Sequence, residues 1–141
     1  MGLRRKGREA ALRLLYQIDL SADSSDQARA DFWAAHGNKT AEPEFANQLV
    51  DSVLAGAEEL DREIEAALDN WQLERLARVD LLVLRLAVCE MLSESDVPAE
   101  VIIDEAIEIA RTYSDPESCS FINGVLDRVA REHGLVDKVA R

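Results

Sequence analysis

A chain of 141 residues, 48% hydrophobic but only 5% aromatic, is long enough for one domain with its own core. Ala, Leu, Ile and Val beside Glu and Arg, with only six Gly and three Pro, argue against a strand-rich, turn-rich architecture. Two cysteines, Cys89 and Cys119, stand without a CxxC spacing or a histidine partner, which argues against a zinc site and for a reducing compartment. No apolar run reaches the length of a membrane span, and Arg13 interrupts Leu12, Leu14 and Leu15 where a signal peptide would be unbroken, so the expectation is a cytoplasmic protein.

The net charge of −12 opposes nucleic-acid binding when taken as a whole. Its distribution does not. Between Leu3 and Tyr16 stand Arg4, Arg5, Lys6, Arg8 and Arg13 against Glu9 alone, and the acidic excess lies further on. A local polyanion site on an acidic body fits this asymmetry, and so does a solvated basic helix end.

Along the chain, Arg5 to Leu20 reads as an amphipathic helix with Gly7, Ala11, Leu14, Leu15 and Ile18 on one face. Ser21 to Gln27 reads as a loop, in which Ser24, Ser25 or Asp26 caps a short helix through Ala35. Gly37-Asn38-Lys39-Thr40 is a second loop, and Pro43 marks a helix start. Phe45, Leu49, Val53, Leu60, Ile64 and Leu68 predict a long amphipathic helix with a break near Gly56. Glu58, Glu59, Asp61, Glu63 and Glu65 are its solvated face, since a carboxylate metal site needs ligands converging from several elements.

The stretch from Val79 to Leu92 is apolar almost all round, so it is expected at the centre of a bundle, within a central apolar helix of about 76–92. Cys89 lies inside it and reads as a small core residue. Asp80, Arg85 and Glu90 are its few charges, and each needs solvent or a partner. Ser95-Asp96-Val97-Pro98 ends this helix. Ile102, Ile103, Ala106, Ile107, Ala110 and Tyr113 make the next apolar stripe, with Asp104, Glu105 and Glu108 facing away. Asp115, followed by Pro116, or Ser118 caps the last helix, whose buried side carries Phe121, Ile122, Val125, Leu126 and Val129. Gly124 inside that helix points to close packing against a neighbour.

The fold class is therefore all-α, a compact bundle of about six or seven helices, taken as a single domain over 1–141 with a basic N-terminal helix at about 4–20. His36 and His133 sit in no recognisable catalytic arrangement. No phosphate-binding glycine loop, zinc spacing or nucleophile elbow occurs, so neither an enzyme, a metal nor a cofactor is expected.

The order and spacing of several blocks resemble the NusB transcription-antitermination family. They are Asn70-Trp71-Gln72-Leu73-Glu74-Arg75-Leu76, Val79-Asp80 through Leu84-Arg85-Leu86-Ala87 to Glu90, and Val97-Pro98. Val101-Ile102-Ile103-Asp104-Glu105-Ala106-Ile107-Glu108-Ile109-Ala110 and Phe121-Ile122-Asn123-Gly124-Val125-Leu126-Asp127 follow. Arg4-Arg5-Lys6, Arg8-Glu9 and Leu14-Leu15-Tyr16 are similar to the family's arginine-rich start. The resemblance is weakest from Ser21 to Glu44. It implies two three-helix bundles and an adaptor that binds boxA RNA of ribosomal transcripts together with NusE, a ribosomal protein, within the elongation complex and its other Nus factors. A related domain is fused to a ribosomal RNA methyltransferase. This chain has no room for that domain and is expected to be the free-standing adaptor.

The resemblance implies roles for particular residues. Arg4, Arg5, Lys6 and Arg8 would contact RNA phosphates. Cations at a helix N-terminus oppose its dipole at about 0.3–1 kcal/mol each, which an external anion would offset. Glu117, Ser120 and Phe121 would complete the RNA site at the start of the last helix, Glu117 accepting from a base amino group and Phe121 stacking on a base, unless Phe121 is ordinary core. Ser120 departs from the family, where a basic residue often stands. Arg85 is a further RNA candidate, with an internal salt bridge as its alternative. Tyr16, Glu74 and Asp80 would belong to the NusE surface, where acidic charge suits a basic partner. The competing readings are an acidic helical interaction module with little RNA binding and an uncharacterised helical enzyme. Homodimerisation stays open.

Overall fold

The structure, a computed structural model, describes residues 2–36, 43–69, 72–93 and 97–135. The expected loop at Gly37-Asn38-Lys39-Thr40, the Asn70-Trp71 pair and Ser95-Asp96 lie outside the described residues. Among those described there are seven α-helices, one 3-10 turn and no strand. The chain divides into two compact units, residues 1–55 and 56–141, at the break expected near Gly56.

The first unit contains α1 (Gly2–Ser21), α2 (Asp26–His36) and α3 (Pro43–Ala55). Helix α1 packs along α3. Its stripe of Ala11, Leu14, Leu15 and Ile18 is buried, and Ala10 and Leu12 are buried too, so the covered face is wider than one stripe. The helix stops at Ala22, which adopts φ 57 and returns its N–H to the Ile18 carbonyl at 2.7 Å. Ser25 caps α2, its hydroxyl accepting the Ala28 N–H at 3.2 Å. Helix α2 is tied to α3 by the Arg29–Asp51 ion pair at 2.7 Å and by Trp33 Nε1 donating to Asn47 at 3.3 Å. Pro43 opens α3 as expected, because a proline at the first helical position loses no helical hydrogen bond.

The second unit contains α4 (Ala57–Ala66), the 3-10 turn Leu73–Arg75, α5 (Arg78–Leu92), α6 (Ala99–Tyr113) and α7 (Pro116–Glu132). Helix α5 touches α4, α6 and α7, the central place its all-round hydrophobicity demands. It begins at Arg78 and not near residue 76, because Leu76 and Ala77 keep extended ψ values of 144 and 141. Asp115 caps α7, accepting the Ser118 N–H at 2.7 Å with Pro116 next in line. The other end of α7 closes on Gly134 at φ +66, with Leu135 N–H on the Ala130 carbonyl at 2.8 Å and Gly134 N–H on that of Arg131 at 3.1 Å.

Two expectations for this unit change. Glu105, expected to face away, is buried at 7% exposure. Gly124, expected at a close helix contact, is exposed, and a Cβ built there meets nothing within 4 Å. Neither packing nor φ requires glycine at that position. Gly124→Ala should therefore raise the unfolding free energy by about 1 kcal/mol through helix propensity alone. A urea titration checks this, and a lowered midpoint would mean that something packs on this face.

Candidate nucleic-acid interface

In the first unit the basic cluster lies on the opening turns of α1, where residues 4, 7 and 8 share a face by helical spacing. Arg4 and Lys6 are exposed, Arg5 is half-buried and Arg8 is buried at 6% exposure. Phe45, near the start of α3, meets this face. A Cβ added to Gly7 would lie 2.5 Å from Phe45 Cδ2 and 3.0 Å from Cε2, so the ring rests directly on the Gly7 backbone. The guanidinium carbon of Arg4 lies 4.9 Å from the ring centroid and that of Arg8 lies 6.0 Å from it. An aromatic face attracts cations, so Phe45 gathers and orients the two arginines that flank Gly7. Sequence reasoning read Phe45 as one more apolar position. The signal for its second role was the Arg-x-x-Gly-Arg spacing of residues 4–8, which leaves a gap for a ring under two cations. Tyr16, the candidate partner contact of this unit, is 38% exposed.

In the second unit Glu117, Ser120 and Phe121 stand at the start of α7. Glu117 and Ser120 are exposed and Phe121 is half-buried. Phe121 is thus not simply core. It lines a cavity of about 340 Å³ with Arg75, Leu76, Ala77, Asp80, Asp115, Glu117 and Ser118. It also lines a second cavity of about 340 Å³ with Ser120, Gly124, Leu68, Asp69 and Arg128. The second is bounded by Arg128, which grips Asp69 through two bonds of 2.6 and 3.0 Å. Hydrogen bonds from Arg128, and then its charge, hold the Asp69 carboxyl below its ordinary value.

Asp80, expected on a partner-protein surface, is buried at 7% exposure. Its carboxylate accepts the Ser114 hydroxyl at 2.5 Å and the Ser118 hydroxyl at 2.9 Å. Glu74 stands exposed on the 3-10 turn. Arg85 points to Asp61 of α4, its Nε and Nη2 donating to the two carboxylate oxygens at 2.7 and 2.8 Å. The internal salt bridge, one of its two readings, accounts for this arginine without RNA. The structure therefore collects Asp80, Glu117 and Phe121 around one cavity and leaves Arg85 out of that group. Ser118, offered in the sequence only as an alternative cap of the last helix, and Asp61, expected on a solvated face, take these partner roles instead, and Ser114 had been given none, because short polar residues and one acid among many carry no pattern.

Burial, and then the Glu90 carboxylate, push the Cys89 thiol above its ordinary value, which disfavours the nucleophilic thiolate. Cys89 is half-buried, not fully inside the core as expected. Among the described residues, no group of three or more His, Cys, Asp and Glu could hold a metal ion, and no helix is long and apolar enough to cross a membrane.

Comparison with known proteins is consistent over most of the chain. The model of the NusB family matches residues 5–131. A transcription antitermination protein NusB from Sorangium cellulosum is 41% identical over 138 residues, covering 98% of this chain and 99% of the relative. The solved structure of T. maritima NusB superposes with a TM-score of 0.79 at 37% identity, covering 92% of this chain and 91% of that one. A crystal structure of the antitermination factors NusB and NusE in complex with double-stranded RNA gives 0.79 at 26% identity, covering 92% of this chain and 96% of the other.

Proposed function

The chain belongs to the NusB family, and on that premise we propose that it is an RNA-binding adaptor of transcription antitermination that takes boxA RNA together with NusE. The observation that carries the RNA half is the opening of α1, where Arg4 and Lys6 are exposed and Arg5 half-exposed on a chain of net charge −12. The solved complex of a related NusB with NusE and RNA supports both partners. We read the chain as a binding protein without a reaction of its own, working in the cytoplasm where transcripts form and joining the elongation complex with other Nus factors.

Within this reading Arg4, Arg5 and Lys6 neutralise phosphates. Arg8, buried against Phe45, mainly orders the cluster and the ring. Phe121 offers a half-exposed face for base stacking, and Glu117 an acceptor for a base amino group. Ser120 supplies a hydroxyl and no charge. Tyr16 and Glu74 supply exposed contacts for a basic ribosomal protein. Arg85 serves the fold through Asp61.

The test is fluorescence anisotropy of a boxA-containing RNA with and without NusE over a range of salt. Three phosphate contacts to single-stranded RNA predict that log affinity falls against log salt with a slope of about −2. Binding that is salt-sensitive and strengthened by NusE is the expected result. No RNA binding even with NusE would remove the RNA half. It would leave an acidic helical interaction module, a reading favoured by Asp80, Asp115 and Glu117 around one cavity and by the uncharged Ser120.

A further inference from the structure

We propose that Asp80 is a positioning residue for RNA recognition: its buried carboxylate, through the hydroxyls of Ser114 and Ser118, fixes the first turn of α7 that carries Glu117, Ser120 and Phe121. This inference rests on the RNA reading above and assigns Asp80 a role beyond a partner contact.

A carboxylate at 7% exposure is costly unless its oxygens are satisfied. Here one oxygen takes Ser114 at 2.5 Å and the other takes Ser118 at 2.9 Å, both charge-assisted bonds. The two serines flank the turn between α6 and α7. Ser114 is the residue at which α6 ends, with extended backbone at ψ 176. Ser118 is the third residue of α7, and its N–H is already held by Asp115 at 2.7 Å. Ser118 is thus gripped twice, by its backbone from Asp115 and by its side chain from Asp80. The first turn of a helix lacks internal acceptors for its N–H groups and frays without such anchors. Phe121 follows Ser118 at helical spacing of three, so a loosened first turn moves the ring directly. Asp80, Ser118, Glu117 and Phe121 line the same cavity, which places the anchor and the recognition side chains on one wall. With both oxygens engaged inside the unit, Asp80 acts through the turn it holds.

The test uses the intact chain and a fluorescent boxA RNA, first alone and then with saturating NusE. Circular dichroism confirms equal helix content in each variant. Ser118→Ala and Asp80→Asn should each weaken RNA binding about tenfold in both conditions, the scale of coupling between residues in one network. Ser118→Thr, which keeps the hydroxyl, should bind as the parent does. The salt slope of Ser118→Ala should stay unchanged, since no phosphate contact is lost. Ser118→Ala combined with Phe121→Ala should be no weaker than Phe121→Ala alone, because the anchor has nothing left to position. If Asp80→Asn fails to fold, Ser118→Ala and its threonine rescue carry the test.

Parent-like RNA binding by Ser118→Ala, alongside weakened binding by Phe121→Ala, would overturn the positioning role and leave the RNA reading standing. Loss confined to NusE affinity in Asp80→Asn would overturn it in favour of a direct partner contact. Salt-insensitive or absent RNA binding by the parent itself, with and without NusE, would overturn both.

Discussion

Arg85→Ala is expected to lower the unfolding free energy by about 3 kcal/mol, with no specific loss of RNA contacts. The Arg85 and Asp61 side chains are 16% and 26% exposed, so their bidentate pair lies nearer the buried case than the surface one. Removing one partner of a buried pair leaves the other charge uncompensated, which costs about 3–5 kcal/mol when burial is complete, whereas exposed pairs contribute about 0–1 kcal/mol. Partial exposure favours the lower end of the buried range. Asp61→Ala should cost a similar amount, because it leaves the largely buried Arg85 guanidinium without its carboxylate. The double variant Arg85→Ala, Asp61→Ala should lose clearly less than the sum of the two, since no orphaned charge remains. Urea denaturation of the three variants measures the coupling. Additive losses would show that the pair is not the reason Arg85 stands on α5. Unchanged stability with weakened RNA binding would return Arg85 to the RNA site.

The second large effect is expected at Gly7. Its Cβ position is 2.5 Å from a ring carbon of Phe45, so any side chain there must displace the ring. Gly7→Leu should destabilise the chain by about 2 kcal/mol. Overpacking costs about 1–3 kcal/mol, and the gain of about 0.8 kcal/mol in helix propensity offsets only part of it. Combining Gly7→Leu with Phe45→Ala vacates the space, so the double variant should lose less than the sum of its parts. Thermal or urea unfolding reads this coupling, and strict additivity would exclude the Gly7–Phe45 contact as the cause. The same displacement removes the face over which the Arg4 and Arg8 guanidiniums lie at 4.9 and 6.0 Å. Gly7→Leu should therefore also weaken RNA binding, through cations that remain charged but lose their common orientation.

Most of the helix pattern was legible before folding. The all-round apolar stretch from Val79 to Leu92 required a central helix, and α5 is one, in contact with α4, α6 and α7. Gly56 broke the long amphipathic pattern where α3 gives way to α4, and Asp115 with Pro116 announced the start of α7. The candidate interface was legible in part. The basic opening of α1 stood out because charge is a property of composition. Its internal arrangement did not, because the ring that lies under Arg4 and Arg8 comes from Phe45, some forty residues further along the chain. Gly124 misled for a related reason: glycine in a helix signals that a side chain is missing, and only the surroundings tell whether a neighbour fills the gap.

Helical periodicity repeats every three or four residues, so element type, the faces and the caps follow from neighbours within about one turn. That local information settled the all-α class, the order of the helices and the family resemblance of this chain. The partners of its buried charges did not follow from it. Arg85 meets Asp61 across 24 residues, and Asp80 meets Ser114 and Ser118 across 34 and 38. Each of those charges must find a partner because burial removes water, but which acid or hydroxyl it finds depends on how α4, α5 and α7 pack. The folded chain made those choices, and with them it joined Asp80 to the turn that presents Phe121.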